Sequence, residues 1–219
     1  MDAIQTLQDF FADRPRVSIP GNLLLYYEEG NPRKHVSPDV LVALGVPREP
    51  LRDHYLVWKE GKAPDFVAEI TTKTTKREDE KKKFVIYRDL LKVTEYVLFD
   101  PRADYLDPPL QGFRLVGGDY APIEPIAGRL SSPVLGLHLE HDGQRLRLFD
   151  PSTGRYLVTR LERQEAADRR AETADHRAKE ERRRAEEECR RADAAIADQR
   201  RLAEENERLR REIEALRGR

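Results

Sequence analysis

The chain has very little cysteine: Cys189 is its one thiol in 219 residues. That excludes an internal disulfide framework and a cysteine-rich zinc site. No apolar run approaches the ~20 residues that cross a bilayer, and the first residues lack the apolar core of a signal peptide. The expected setting is a reducing cytoplasm, with no membrane part. Neither charge is in excess, since 40 Lys and Arg stand against 41 Asp and Glu. A formal net charge of −1 makes no global electrostatic case for nucleic acid, so any basic patch must be local.

Other absences are regional. From Leu161 onward there is no aromatic or proline, and no glycine until Gly218. All the Trp, Tyr, Phe and Pro lie before residue 158. Two parts are expected on this basis, a globular domain over 1–158 and a helical segment over 159–219. The second is the more densely charged, with 35 Asp, Glu, Lys and Arg in 61 residues against 46 in the first 158.

In the first part, Ile4, Leu7, Phe10 and Phe11 space a short opening helix. Leu23 to Tyr27, Val36 to Leu44, Asp65 to Thr71 and Glu95 to Phe99 read as strands. Lys76 to about Leu91 reads as an amphipathic helix, so a strand, a helix and a strand suggest a crossover with a parallel pair. Two hairpins follow, turning at Gly117-Gly118 and at Asp142-Gly143. The economical sum is a mixed sheet of about six to eight strands with one or two helices.

The chemistry concentrates between residues 38 and 87. In the strand from Asp65, period 2 puts Asp65, Val67, Glu69 and Thr71 on one face. Glu69 then sits mid-strand between Ala68 and Ile70, where a carboxylate is costly unless paired or metal-bound. An edge strand with Glu69 in water would explain the same residues. Asp39 follows Pro38 as Asp65 follows Pro64, and Ser-Pro-Asp is also ordinary turn chemistry. On the helix, Lys83, Ile86, Tyr87 and Leu90 form one face at i, i+3, i+4 and i+7, which points Lys83 toward the sheet. The alternative is a snorkelling lysine. Lys73 and Lys76 lie in a loop from which they could meet phosphate, and Glu28 is a further carboxylate. Carboxylates on separate strands can converge on a divalent cation, and a nearby lysine can assist water attacking a phosphodiester.

These residues fall into an ordered set: VSPDV, APDFVAEITTK, REDEKKKFVIY and TEYVLFDP, with DYLDPPLQGFRLVGGDYAPI after them. Over about Leu23 to Pro101 the set resembles the Uma-type restriction endonucleases, a branch of the PD-(D/E)XK nuclease superfamily. The resemblance implies an α/β fold with a restriction-endonuclease-like mixed sheet flanked by helices. It implies Mg²⁺ (or Mn²⁺) as cofactor and nucleic acid, DNA above RNA, as substrate. Asp39 and Glu69 match the family's metal-holding carboxylates, with the carbonyl of Ile70 as a third ligand. Lys83 matches a catalytic lysine moved from strand to helix, with Glu28, Asp65, Lys73 and Tyr87 as accessory candidates. Two departures stand out. Thr71 occupies the position where the superfamily carries its strand lysine, and Lys92-Val93 stands where the family has Gly-Val.

The last part reads as one long helix. Leu202, Leu209 and Leu216 occupy heptad position d, and Gln199, Asn206 and Ile213 occupy a, a pattern that favours a parallel two-stranded coiled coil. A homodimer through this tail is expected. Upstream the a positions are Ala178, Ala185 and Ala192 against Glu181 and Glu188 at d, too polar for a firm seam. Glutamates interleave the arginines of 182–184 and 190–191, which argues against a DNA-binding tail.

Two other functions are compatible with the residues. One is a nuclease-derived scaffold that has lost catalysis, with Thr71 as its mark. The other is a structural protein whose business is the coiled coil.

Overall fold

Residues 2–217 are described by the structure, a computed structural model. In chain order they form α1 (Asp2–Phe10), β1 (Val17–Ser18), β2 (Leu24–Tyr26), β3 (His35–Val36), β4 (Val40–Leu44), β5 (His54–Leu56) and α2 (Val57–Glu60). Next come β6 (Phe66–Ile70), helix α3 (76–90), β7 (Glu95–Phe99), β8 (Leu110–Val116) and β9 (Asp119–Pro122). Strands β10 (Arg129–Ser132), β11 (Leu137–Asp142), β12 (Arg145–Asp150) and β13 (Arg155–Tyr156) precede the long α4 (Arg160–Arg217).

The expected single sheet is three sheets. Six strands run β1-β4-β6-β7-β8-β9, four run β10-β11-β12-β13, and three run β3-β2-β5. The division has a local cause. The predicted strand 36–44 breaks at Ser37-Pro38-Asp39, so β3 pairs with β2 while β4 pairs with β6. Proline has no N–H to give to a ladder, which makes it a natural break.

The central strands VLVAL, FVAEI and EYVLF are almost wholly buried, as apolar runs covered on both faces should be. Phe66, Ala68, Val97 and Phe99 pack on one face with Leu7 and Phe11 of the α1 region and with Leu137 and Leu139 of β11. Val67, Tyr96 and Leu98 pack on the other with Tyr87 of α3 and with Leu25 and Tyr55 of the three-stranded sheet. Strands β6 and β7 are parallel neighbours, and α3 is the crossover between them.

Helix α3 departs from the expected geometry. It contains two π-helical stretches, Glu78–Lys83 and Ile86–Leu90, in which hydrogen bonds span five residues and widen the turn. The row facing the sheet therefore advances by fours, through Asp79, Lys83, Tyr87 and Leu91. Leu91 is 6% exposed while Leu90, predicted to face the sheet, is 59% exposed. The helix stops at Lys92, whose φ of 52° is the left-handed conformation that usually falls to glycine after a helix end. This is the position where the family resemblance expects Gly.

The chain divides into two compact units between Glu162 and Arg163. The start of α4 lies in the first and is closed by a reciprocal cap. The Thr159 N–H donates to Glu162 Oε2 at 2.8 Å, and the Glu162 N–H donates to Thr159 Oγ1 at 3.2 Å. In the second unit, exposed i,i+4 pairs such as Asp175–Lys179 and Arg182–Glu186 each add about 0.2–0.5 kcal/mol. The side chains of the heptad residues Ile213 and Leu216 lie outside the described residues. Among the described residues no helix is long and apolar enough to cross a membrane.

Candidate active site

Glu69 is not on an edge strand. It is the fourth residue of β6, in the interior of the six-stranded sheet, and is 1% exposed. Its two oxygens have partners from α3: Lys83 Nζ lies 2.9 Å from Oε2, and the Tyr87 hydroxyl donates to Oε1 at 2.7 Å. Lys83 also pairs with Asp79 Oδ1 at 3.0 Å and reaches the Ser37 carbonyl at 3.4 Å. That ammonium is the charge partner of the buried Asp79 oxygen.

Asp39 enters from the break between β3 and β4. The named β4–β6 register ends at Val40 opposite Ala68, which leaves the Ile70 N–H beyond it. Asp39 Oδ2 accepts that N–H at 2.7 Å. Its Oδ1 has no protein hydrogen bond among the described residues. The structure thus brings Asp39, Glu69, the Ile70 backbone, Lys83 and Tyr87 together, and adds Asp79. Sequence reasoning passed over Asp79, although its i,i+4 spacing to Lys83 was a usable signal.

The remaining candidates go elsewhere. Asp65 lies at the opposite end of β6, roughly 13 Å along the strand from Glu69. It accepts the Leu44 N–H at 2.7 Å and pairs with Lys62 at 2.7 Å, so it fastens the start of the strand. Glu28 accepts from Asn31 at 2.8 Å in an exposed turn after β2. Lys73 is exposed on the loop beyond β6 and lines a cavity of about 340 Å³ with Thr71, Thr72, Thr74, Arg102 and Tyr105. Thr71 is 1% exposed, and its hydroxyl has no hydrogen-bond partner among the described residues.

Burial raises the Glu69 carboxyl to about 7, and the nearby Asp39 charge adds to the rise, against the pull of Lys83 and Tyr87. Burial works to lower Lys83, yet the charges of Glu69 and Asp79 outweigh it and leave the ammonium above its ordinary value. The two directions are compatible because Asp79 keeps Lys83 charged when Glu69 takes a proton. Burial also pushes the Tyr87 phenol well up, so it stays neutral and donates.

The model of the Uma2 family, described as "Putative restriction endonuclease", matches residues 2–181. The chain belongs to the Uma2 family. That membership supports a nuclease-like function acting on nucleic acid, in a family class that generally uses divalent metals. No curated protein matches the chain. Among solved structures it is similar to one from Anabaena variabilis, described as "a putative nuclease belonging to DUF820". The identity is 16% and the TM-score 0.47, covering 65% of this chain and 75% of that one.

Proposed function

We propose that the chain is a metal-dependent endonuclease that hydrolyses phosphodiester bonds in nucleic acid, DNA above RNA, with Mg²⁺ (or Mn²⁺) as cofactor. One observation carries the reading: a carboxylate buried inside the central sheet, Glu69, meets a lysine held on a helix by a second buried carboxylate, beside Asp39. A sheet interior has no packing reason to hold this charge cluster, and strongly perturbed groups of this kind concentrate at functional sites.

The donor set fits a hard cation. Among the described residues no three His, Cys, Asp or Glu side chains converge as a ready-made cage. Mg²⁺ does not need one, since it keeps several waters and takes one or two carboxylates. Asp39 and Glu69 would hold it, with the Ile70 carbonyl as a third oxygen. When bound, such a cation acidifies coordinated water and offsets charge at the scissile phosphate.

Lys83 cannot be the base, because its neighbours keep it protonated at neutral pH. Its role is to orient water by hydrogen bonding or to stabilise negative charge growing on the phosphate. Tyr87 and Asp79 are positioning residues, one for Glu69 and one for Lys83. Residues 1–158 form the nuclease domain on this reading, in the cytoplasm, and 159–219 the coiled coil of a homodimer. Leu202 and Leu209, at 54% and 48% exposed, supply the apolar seam.

A second reading, a nuclease-derived scaffold, draws on the engagement of both Glu69 oxygens by α3. Mn²⁺ binding followed by electron paramagnetic resonance separates the two. A site lost in both Asp39→Asn and Glu69→Gln supports the enzyme, and a folded wild type that binds no Mn²⁺ supports the scaffold.

A further inference from the structure

Beside the three-stranded sheet lies a cavity of about 380 Å³, walled by Tyr26, His54, Trp58 and Pro32, with Glu28 and Asn31 as polar lining. This is the volume of a small-ligand site. Its aromatic rings are ordered. Tyr26 on β2 stands 5.3 Å from the His35 ring on β3 and 5.5 Å from the His54 ring on β5, centroid to centroid. The Pro32 carbonyl can only accept, so the 2.8 Å contact from His35 Nδ1 is a donated hydrogen bond that pins the ring. Glu28 accepts from Asn31 on one oxygen and has no hydrogen bond to the other among the described residues.

We propose that this cavity binds one unpaired nucleobase of the nucleic acid strand, enclosed by the Tyr26, His54 and Trp58 rings with its face against one of them and donating from its edge to Glu28. Aromatic platforms take bases of any sequence, because every base has a π face. That face is reachable only when the base is unstacked, which selects single-stranded or flipped nucleotides over intact duplex. A carboxylate at the edge suits the N–H groups of a base and repels phosphate.

His35, whose ring stands 5.3 Å from that of Tyr26, is four residues from Asp39, so the Cα atoms of His35 and Asp39 lie at most about 14 Å apart by chain reach. The inference rests on the nuclease reading and gives it a preference for unpaired substrate.

Trp58 is the one tryptophan of the chain, so its fluorescence reports on this pocket alone. The test titrates the full chain in EDTA with oligo-dT, oligo-rU and an abasic oligomer of equal length, with binding followed in parallel by anisotropy. The expected result is Trp58 quenching by base-bearing strands and not by the abasic one, with the better quencher identifying DNA or RNA as the source. Tyr26→Phe should bind as wild type, and Tyr26→Ala and the exposed His54→Ala about tenfold more weakly. Equal quenching by the abasic strand, or anisotropy binding with no quenching, overturns the pocket and leaves the nuclease reading standing. No binding to any strand likewise overturns the pocket, while the nuclease reading stands or falls on metal-dependent cleavage.

Discussion

Lys83 Nζ sits 2.9 Å from Glu69 Oε2, so a lysine 14 residues downstream and on another element occupies the neighbourhood of the strand carboxylate. The same ammonium balances Asp79. Removing it strands two buried carboxylates. Breaking one partner of a buried pair costs about 3–5 kcal/mol. Lys83→Ala should therefore lose stability by roughly that amount in urea denaturation, and lose cleavage as well. Lys83→Arg should recover most of the stability and little activity, since a planar guanidinium does not replace a point charge at fixed distance.

The raised Glu69 carboxyl makes two pH dependences. Relative to an unfolded value of 4.5, a folded value of about 7 means the native state binds the extra proton between those limits. The contribution of Glu69 to stability is thus fully present below about 4.5 and is lost as pH rises through about 7, by roughly 3 kcal/mol in all. Glu69→Gln should lack that slope in denaturation curves between pH 5 and 8. Cation binding runs the other way, because it needs the carboxylate. Mn²⁺ affinity should rise about tenfold per pH unit up to about 7 and then level.

Much of this was legible in the sequence, and what was not has identifiable causes. Period 2 along FVAEI put Glu69 and Val67 on one face and Phe66 and Ala68 on the other, and the two apolar clusters divide that way. The β6–α3–β7 crossover followed from the alternation of patterns. Asp39 and Asp65 looked alike, each after a proline. They differ because Asp39 meets the C-terminal end of β6, where the ladder leaves the Ile70 N–H open, while Asp65 meets its start. The three-sheet division turned on a two-residue strand, too short to carry a periodic signal.

Helix α3 misled a 3.6-residue reading because its turns are wider. The consequence is measurable. Leu91→Ala should cost about 2–5 kcal/mol as a core truncation, and Leu90→Ala less than about 0.5. Equal costs in thermal denaturation would return the helix to ordinary α geometry.

Lys92 carries a side chain in left-handed backbone, which costs an L-residue about 1–2 kcal/mol. Lys92→Gly should therefore raise stability, by about 1 kcal/mol after glycine's greater unfolded-state entropy is set against it. A lower unfolding midpoint would show that the lysine has a compensating role.

The most direct test of the central claim is cleavage of supercoiled plasmid by the purified full chain with Mg²⁺ or Mn²⁺, beside Glu69→Ala and Lys83→Ala. The account predicts metal-dependent nicking by the wild type that disappears in both folded variants. Cleavage that survives unchanged in Glu69→Ala would contradict it.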